Sequence, residues 1–467
     1  MNSKDPIANF FEPQSIAIFG SFREGNFGGY MMIRNLLDSG YQGKIFPVNP
    51  TFKKQVLNYQ VFPSVLAITE EIDLAAIMIG AASVPEVLRQ CAGQGIKSVV
   101  LVADGFAERD EKGLQLQQEI VAIAKESGMR LIGPNTAGIA NIIKGFNPCP
   151  YYAGYSDFCK GGVSICSQTG MINPQAYPYW DLKYKISKIC DLGNKCDVDE
   201  CDMLEYLAND PDTRVISIYI ESVANGRRFA EIVGRVTAKK PVLILKTGRT
   251  SEGAKASASH TGSLAVDDDI FEATCRQTGI LRLDKFNELF EIPRIFASQP
   301  LPKDNRLGIF SFTGGVGVLA TDEGSRHGIT VGPLTTKTTF ELNKIFPGLG
   351  KNPVDLGPSV AAVGDIMASY GKILMAIATD ENVDMILIIP WASPNDAFSD
   401  IYLQAYQQLK ESCKKPVATW VYGPLINYNR DLIQKLEEIG FPVFNELETA
   451  VKALSMMVAY ANTKKQI

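Results

Sequence analysis

Short runs of β-branched and aliphatic residues alternate along this chain with longer stretches whose apolar residues recur at helical spacing. That alternation predicts parallel sheets covered by helices. In the first block, Ser15–Phe19, Lys44–Val48, Leu74–Ile79, Ser98–Val102 and the short Arg130–Ile132 read as strands. Helices are expected at about 29–39, 84–94 and 113–128, with Gly40, Gly95 and Gly128 where they should stop. The block is a doubly wound domain ending near residue 145. The segment 146–160, rich in Pro, Gly and aromatics, reads as a crossover. A second block places strands at Gly162–Ile165, Lys188–Cys190, Val215–Ile220 and Val242–Lys246. Pro300 and Pro302 mark the next boundary, and the third block has strands at Leu307–Phe310, Met385–Pro390 and Pro416–Trp420. The expected fold class is α/β, with domains at 1–145, 146–299 and 300–467.

Composition narrows the partners. The 467 residues carry 46 Lys+Arg against 51 Asp+Glu, a formal net charge of −5. Such a chain has no overall attraction for nucleic acid or anionic lipid, so an anionic ligand needs a local site. No apolar run reaches the ~18 residues of a membrane span. The start, MNSKDPIANFFEP, lacks the basic and apolar regions of a secretory signal, so a cytoplasmic location is expected. The nine cysteines are odd in number and form no C-x-x-C pair, which points to free thiols and no metal site. Only two histidines occur, His260 and His327.

In doubly wound sheets, ligands bind beyond the carboxyl ends of the strands. After Ser15–Phe19 comes Gly20-Ser21-Phe22-Arg23-Glu24-Gly25-Asn26-Phe27-Gly28-Gly29. A Gly-rich turn entering a helix offers bare N–H groups and a positive dipole end to phosphate, and Arg23 adds a cation. The run is not G-x-G-x-x-G. The second strand ends in Val48-Asn49-Pro50 with no ribose-binding acid, and Lys53 and Lys54 follow. That disfavours an NAD-dependent dehydrogenase and suits a ligand with extra phosphate, such as coenzyme A or NADP. A tight turn that serves only packing is the alternative.

Ser167-Gln168-Thr169-Gly170 follows the strand Gly162–Ile165 and is placed to open a helix that holds a small anion, or merely to cap one. The G-x-S-x-G elbow of a serine hydrolase is absent. Glu221 ends an apolar strand and points at the crevice, although a salt-bridged loop acid fits the same position. His260 lies among small polar residues in Lys255–Ala265, read as a mobile loop and a candidate nucleophile or base. Neutral imidazole accepts a phosphoryl group near pH 7, and a carboxylate on its other nitrogen would orient it; Glu221 is the acid chosen. His327, just before Gly328, reads as a structural residue in a last helical turn. Thr313–Val318 and Asn352–Leu356 are further, less specific loop signals.

Together the motifs SIAIFGS…GNFGG, IFPVNP, IGPNTAG, SQTG, LGNKCDVDECDMLEYLANDP, YIES, LKTGRT, SHTGSLA, TGGVGVLATD and NPVDL stand in one order along nearly the whole chain. The sequence resembles the ADP-forming (NDP-forming) acyl-CoA synthetases, the superfamily that includes succinyl-CoA ligase. The resemblance implies a Rossmann-like CoA-binding domain followed by two flavodoxin-like domains. It implies coenzyme A held by Gly20, Ser21, Arg23, Asn26, Val48, Asn49, Pro50 and Lys53. Phosphate falls to Ser167, Gln168, Thr169 and Gly170, with Asn135 near the thioester. His260 matches the family's phosphohistidine and Glu221 the acid that supports it. The implied reaction converts acyl-CoA, ADP and phosphate into a small carboxylic acid, CoA and ATP. The three blocks leave no room for the family's ATP-grasp unit. ADP/ATP and Mg2+ are therefore expected on a partner β subunit, in an α2β2 heteromer. Val266 stands where the family usually has Gly, a stiffer residue in a loop that must swing. A non-catalytic CoA-binding or sensor protein of the same fold is the alternative, against which intact His260, Glu221 and SQTG speak.

Overall fold

A computed structural model describes residues 5–52, 55–155, 158–176, 184–261, 267–360 and 366–466, without the side chains of 257–261, 396 and 466. The chain forms two compact units, Met1–Leu289 and Phe290–Ile467.

The first unit holds two sheets. The first contains β1 (Ser15–Phe19), β2 (Lys44–Val48), β3 (Leu74–Ile77), β4 (Ser98–Leu101) and β5 (Arg130–Ile132), in the order β2-β1-β3-β4-β5. All its pairs are parallel. Every residue of β1, β3 and β4 is buried, as expected where helices cover both faces. The helix Glu111–Ser127 shows how its ends are set. Asp110 accepts from the Gly113 N–H at 2.8 Å, and Gly128 takes the left-handed conformation that closes it.

The second sheet contains β6 (Ile139–Asn141), β7 (Cys159–Ser167), β8 (Lys185–Asp191), β9 (Val215–Ile220), β10 (Val242–Lys246) and β11 (Leu281–Arg282), in the order β11-β10-β9-β7-β8-β6. Only β6 runs antiparallel, against β8. It comes from the segment that the sequence groups with the first block. One apolar cluster joins residues of both sheets' helices, including Met32, Leu36, Leu204 and Leu207. Phe11 stacks on Tyr206 at 5.2 Å across it.

β7 and β8 extend beyond their expected limits. Cys159-Lys160-Gly161, ahead of the expected strand, carries no strand-like pattern, yet Cys159 and Lys160 pair with β8 and the register shifts between Lys160 and Val163. A Cβ on Gly161 would lie 2.3 Å from Lys185, so only glycine lets the two backbones approach. β6 and β11 escape the sequence pattern because they are only two or three residues long.

The second unit holds β12 (Leu307–Ser311), β13 (Val354–Asp355), β14 (Met385–Ile389), β15 (Val417–Trp420) and β16 (Val443–Phe444), in the order β13-β12-β14-β15-β16. All its pairs are parallel. Tyr370, Tyr402 and Tyr406 fill its core beside Phe310. The α/β class and its three predominantly parallel sheets agree with the sequence reading. No helix among the described residues is long and apolar enough to cross a membrane.

Candidate active site

In the first unit, loops at the carboxyl ends of both sheets meet in a cleft of about 510 Å3. Met78–Gly80, Val102–Asp104 and Asn135–Ala137 contribute from the first sheet's side. Gln168–Gly170, Asp191, Gly193 and Asn194 contribute from the second. Phe27 and Tyr151 also line it, their rings 4.9 Å apart. This is where parallel sheets bind ligands. Of the residues singled out in the sequence, Asn135, Gln168, Thr169 and Gly170 come together here. The lining includes Asp104 and Asp191 and, among the described residues, no Lys, Arg or His.

The residues expected to hold coenzyme A sit around the ends of β1 and β2. Gly20 follows β1, where an added Cβ would meet the Gly29 nitrogen and the Met78 oxygen at 3.3 Å. Gly28, at φ +108°, starts the helix Gly29–Asp38. Ser21, Arg23 and Asn26 are exposed, and the Asn26 N–H closes a turn on the Arg23 carbonyl at 3.2 Å. Val48 is buried, while Pro50 is exposed. The Asn49 amide is engaged internally. It donates to the Gly20 carbonyl at 2.8 Å and accepts from the Thr51 and Phe52 N–H groups. It ties the two strand ends together rather than reaching outward. Lys53 lies outside the described residues.

The SQTG segment differs from the expected helix start. Ser167 is the last residue of β7, fully buried, and its hydroxyl bonds both the N–H and the carbonyl of Thr169 at 3.0 Å. Thr169 caps only a three-residue 3-10 turn, Gly170–Ile172. The Gln168 side chain is 5% exposed and turned to the next strand. Its oxygen accepts from the Glu221 N–H at 2.9 Å and the Ser222 N–H at 3.2 Å. Its nitrogen donates to the Ser222 hydroxyl at 3.3 Å. Glu221, just beyond β9, is 5% exposed and accepts from the Tyr219 hydroxyl at 3.2 Å. Lys195, from the LGNK stretch, donates to the Ser222 carbonyl at 2.7 Å and to Glu200 at 2.9 Å. The LGNK, SQTG and YIES motifs, far apart in sequence, thus converge on one strand end.

Asp191 was missed in the sequence. It ends β8 as Glu221 follows β9, and the strand reading stopped one residue short of it. Its carboxylate accepts from the Ala137 N–H at 2.5 Å and the Gly193 N–H at 3.2 Å. Burial pushes its carboxyl up to about 6, and the Glu221 charge adds to the rise against the restraint of these donors and Thr136. It fastens the loop after β8 to the loop carrying Asn135, which stands exposed at φ +57°. Those two loops touch closely: a Cβ on Gly193 would lie 2.2 Å from the Pro134 carbonyl.

Lys255–Ala265 is not a loop over its described length. The backbone through His260 is helical, in Ser251–Thr261, and residues 262–266 and the His260 side chain lie outside the description. Alanines 254, 256 and 258 favour the helix, and the Thr250 hydroxyl accepts from the Gly253 N–H at 3.0 Å near its start. In the second unit, the two remaining loop signals meet: a Cβ on Gly314 would lie 2.9 Å from the Asp355 carboxylate. His327 caps the helix Gly314–Arg326, bonded to Glu323 at 3.0 Å, as a structural residue would be.

Asp199, Glu200 and Cys201 offer ligand atoms within 4.8 Å of one another. Asp199 is already paired with Arg228 at 3.0 Å and caps the helix Glu200–Asn209, while Glu200 is paired with Lys195. Ion pairing and capping account for this cluster without a metal.

Two family models match the chain. A CoA-binding domain covers residues 14–142, and a succinyl-CoA ligase-like flavodoxin domain covers residues 160–296. An ADP-forming acetate–CoA ligase II of Archaeoglobus fulgidus is 35% identical over 98% of this chain and 68% of its own length. The α subunit of an ADP-forming acetate–CoA ligase I of Pyrococcus furiosus is 34% identical over 97% of both chains. The solved acetyl-coenzyme A synthetase 1 of Ca. Korarchaeum cryptofilum, in complex with phosphate and ADP, superposes with a TM-score of 0.87 at 28% identity, covering 100% of this chain and 98% of its own.

Proposed function

Because the chain belongs to the ADP-forming acetate–CoA ligase family, we propose that its cleft carries out the thioester half of that reaction and that His260 carries the phosphoryl group onward. The acid–thiol ligase activity is the family's own. The finer assignments rest on one observation: the loops of a CoA-binding sheet and of a ligase sheet share one cleft, with Asp191 at the end of β8 and Glu221 beyond β9, on either side of β7.

Phosphate attacks the thioester carbonyl, the C–S bond breaks, and CoA leaves as thiolate to take up a proton. The product is an acyl phosphate. An imidazole nitrogen of His260 then attacks its phosphorus, and the P–O bond to the acyl group breaks. The free carboxylate leaves, and Glu221 stabilises the charged phosphoimidazole. The final transfer, to ADP, takes place on a nucleotide-binding partner that supplies Mg2+. The division of the Pyrococcus furiosus relative into subunits supports that partner, and the Archaeoglobus fulgidus relative, which is longer than this chain, fits a fused arrangement of the same parts. Coenzyme A lies along Gly20–Asn26 and the Val48–Pro50 turn, with its thiol end toward Asn135. Domains at 1–145, 146–299 and 300–467 accommodate both matched spans, and a cytoplasmic setting suits these substrates. The sensor alternative is disfavoured, since the relatives are ligases.

The test is phosphate-dependent release of CoA thiol from acetyl-CoA by the purified full chain. Release that requires phosphate supports the reading. Binding of CoA with no release, even with the nucleotide-binding partner present, would point to a sensor.

A further inference from the structure

We infer that Tyr219 and Gln168 are positioning residues that hold Glu221 for phosphoryl transfer, so that Gln168 acts through Glu221 and not as a ligand of phosphate. The inference rests on the reading of Glu221 as the acid that supports a phosphohistidine.

The geometry is specific. Gln168 is 5% exposed, and both ends of its amide are occupied by the backbone N–H groups of Glu221 and Ser222 and by the Ser222 hydroxyl, at 2.9, 3.2 and 3.3 Å. Its own N–H is bonded to the Tyr219 carbonyl at 3.1 Å, so side chain and backbone together clamp β7 to the end of β9. Lys195 grips the next carbonyl, that of Ser222, at 2.7 Å. The backbone of the acid is thereby fixed on three sides. Tyr219 fixes the side chain: its hydroxyl lies 3.2 Å from the Glu221 carboxylate and 3.2 Å from the Thr247 hydroxyl. Its ring stands edge-on to Phe286 at 6.2 Å, which limits its rotation. Burial, with Glu221 beside it, pushes the phenol up to about 12 against the opposing effect of Thr247, so it remains a donor at working pH. A neutral donor orients the carboxylate without cancelling its charge. That charge is what a phosphorylated imidazole needs, and a small misplacement of such a group costs rate steeply.

The experiment follows labelled inorganic phosphate into the full-length chain with acetyl-CoA as co-substrate, in wild type, Tyr219→Phe, Gln168→Ala and His260→Ala. In Tyr219→Phe, the maximal rate of protein labelling should fall about 10-fold, the worth of one hydrogen bond to a charged group. The acetyl-CoA and phosphate concentrations giving half the maximal rate should stay within about twofold, and the chain should remain folded at the assay temperature. Gln168→Ala should show the same split, including an unchanged phosphate requirement. Labelling of Tyr219→Phe at the wild-type rate, or a Gln168→Ala effect confined to the phosphate requirement, would overturn the inference alone. A wild type that stays unlabelled both alone and with its nucleotide-binding partner, or a His260→Ala chain that labels normally, would overturn the phosphohistidine reading and the inference with it.

Discussion

Replacing Asp191 by Asn should make the protein more stable at pH 8 and less stable at pH 4. Burial pushes the Asp191 carboxyl up to about 6 from a reference value of 3.8. A raised folded value means that the group's contribution to stability is complete below about pH 4 and is lost as pH rises through about 6. The gap of roughly two pH units corresponds to about 3 kcal/mol of destabilisation at pH 8. Asn removes that cost. It has one oxygen and a donor NH2 in place of the second, however, and serves the Ala137 and Gly193 N–H groups less well than a carboxyl with two oxygens, protonated or not. Losing one of those bonds costs about 1 kcal/mol. The variant should therefore gain about 2 kcal/mol at pH 8 and lose about 1 kcal/mol at pH 4. The assay is thermal unfolding of both proteins followed by circular dichroism at the two pH values, where each kcal/mol moves the midpoint by roughly 2–4 °C. Among the described residues, Glu221, Tyr151 and Cys190 are electrostatically coupled to Asp191, and none of them is replaced in the variant. A shift of the same sign and size at both pH values would refute the reasoning. An acid kept in place at such a cost, at the floor of the cleft, fits a residue retained for activity rather than for stability.

Two further outcomes follow from the same geometry. Lys195→Met should lower stability by about 3–5 kcal/mol, because it leaves Glu200, itself 1% exposed, without its ammonium partner; thermal unfolding checks this, and Glu200→Gln in the same background should restore part of the loss. With Asp104 and Asp191 lining the cleft and no cation among the described lining residues, acyl groups bearing a free carboxylate should be rejected relative to neutral ones. At about 6 Å and an effective dielectric near 20, like charges repel by about 3 kcal/mol, so kcat/KM for malonyl-CoA should lie about 100-fold below that for propionyl-CoA.

The layout of the fold was legible because buried parallel strands are long apolar runs: Ser15–Phe19, Lys44–Val48, Val215–Ile220 and Val242–Lys246 appear with unchanged limits. Pairing extended β7 back through Cys159-Lys160-Gly161, where the sequence signals a crossover and only the approach of β8 makes a strand. Glu221 could be read because an acid visibly ends an apolar run. Asp191 obeys the same rule, but the apolar run ahead of it is only Ile189-Cys190, too short to mark the acid as a strand end. The helix through His260 was hidden because its small residues suit a mobile loop as well as they suit a helix. Gln168 shows a different limit. Its place beside the cleft was legible, but the direction of its amide depends on where β9 ends, which the local sequence does not encode.

The most direct test is the intact mass of the purified chain after incubation with inorganic phosphate and acetyl-CoA, alone and with its nucleotide-binding partner. The account predicts a gain of one phosphoryl group, labile to acid, absent without the thioester and absent in His260→Ala. An unchanged mass under both conditions, or a phosphoryl group that persists in His260→Ala, would contradict it.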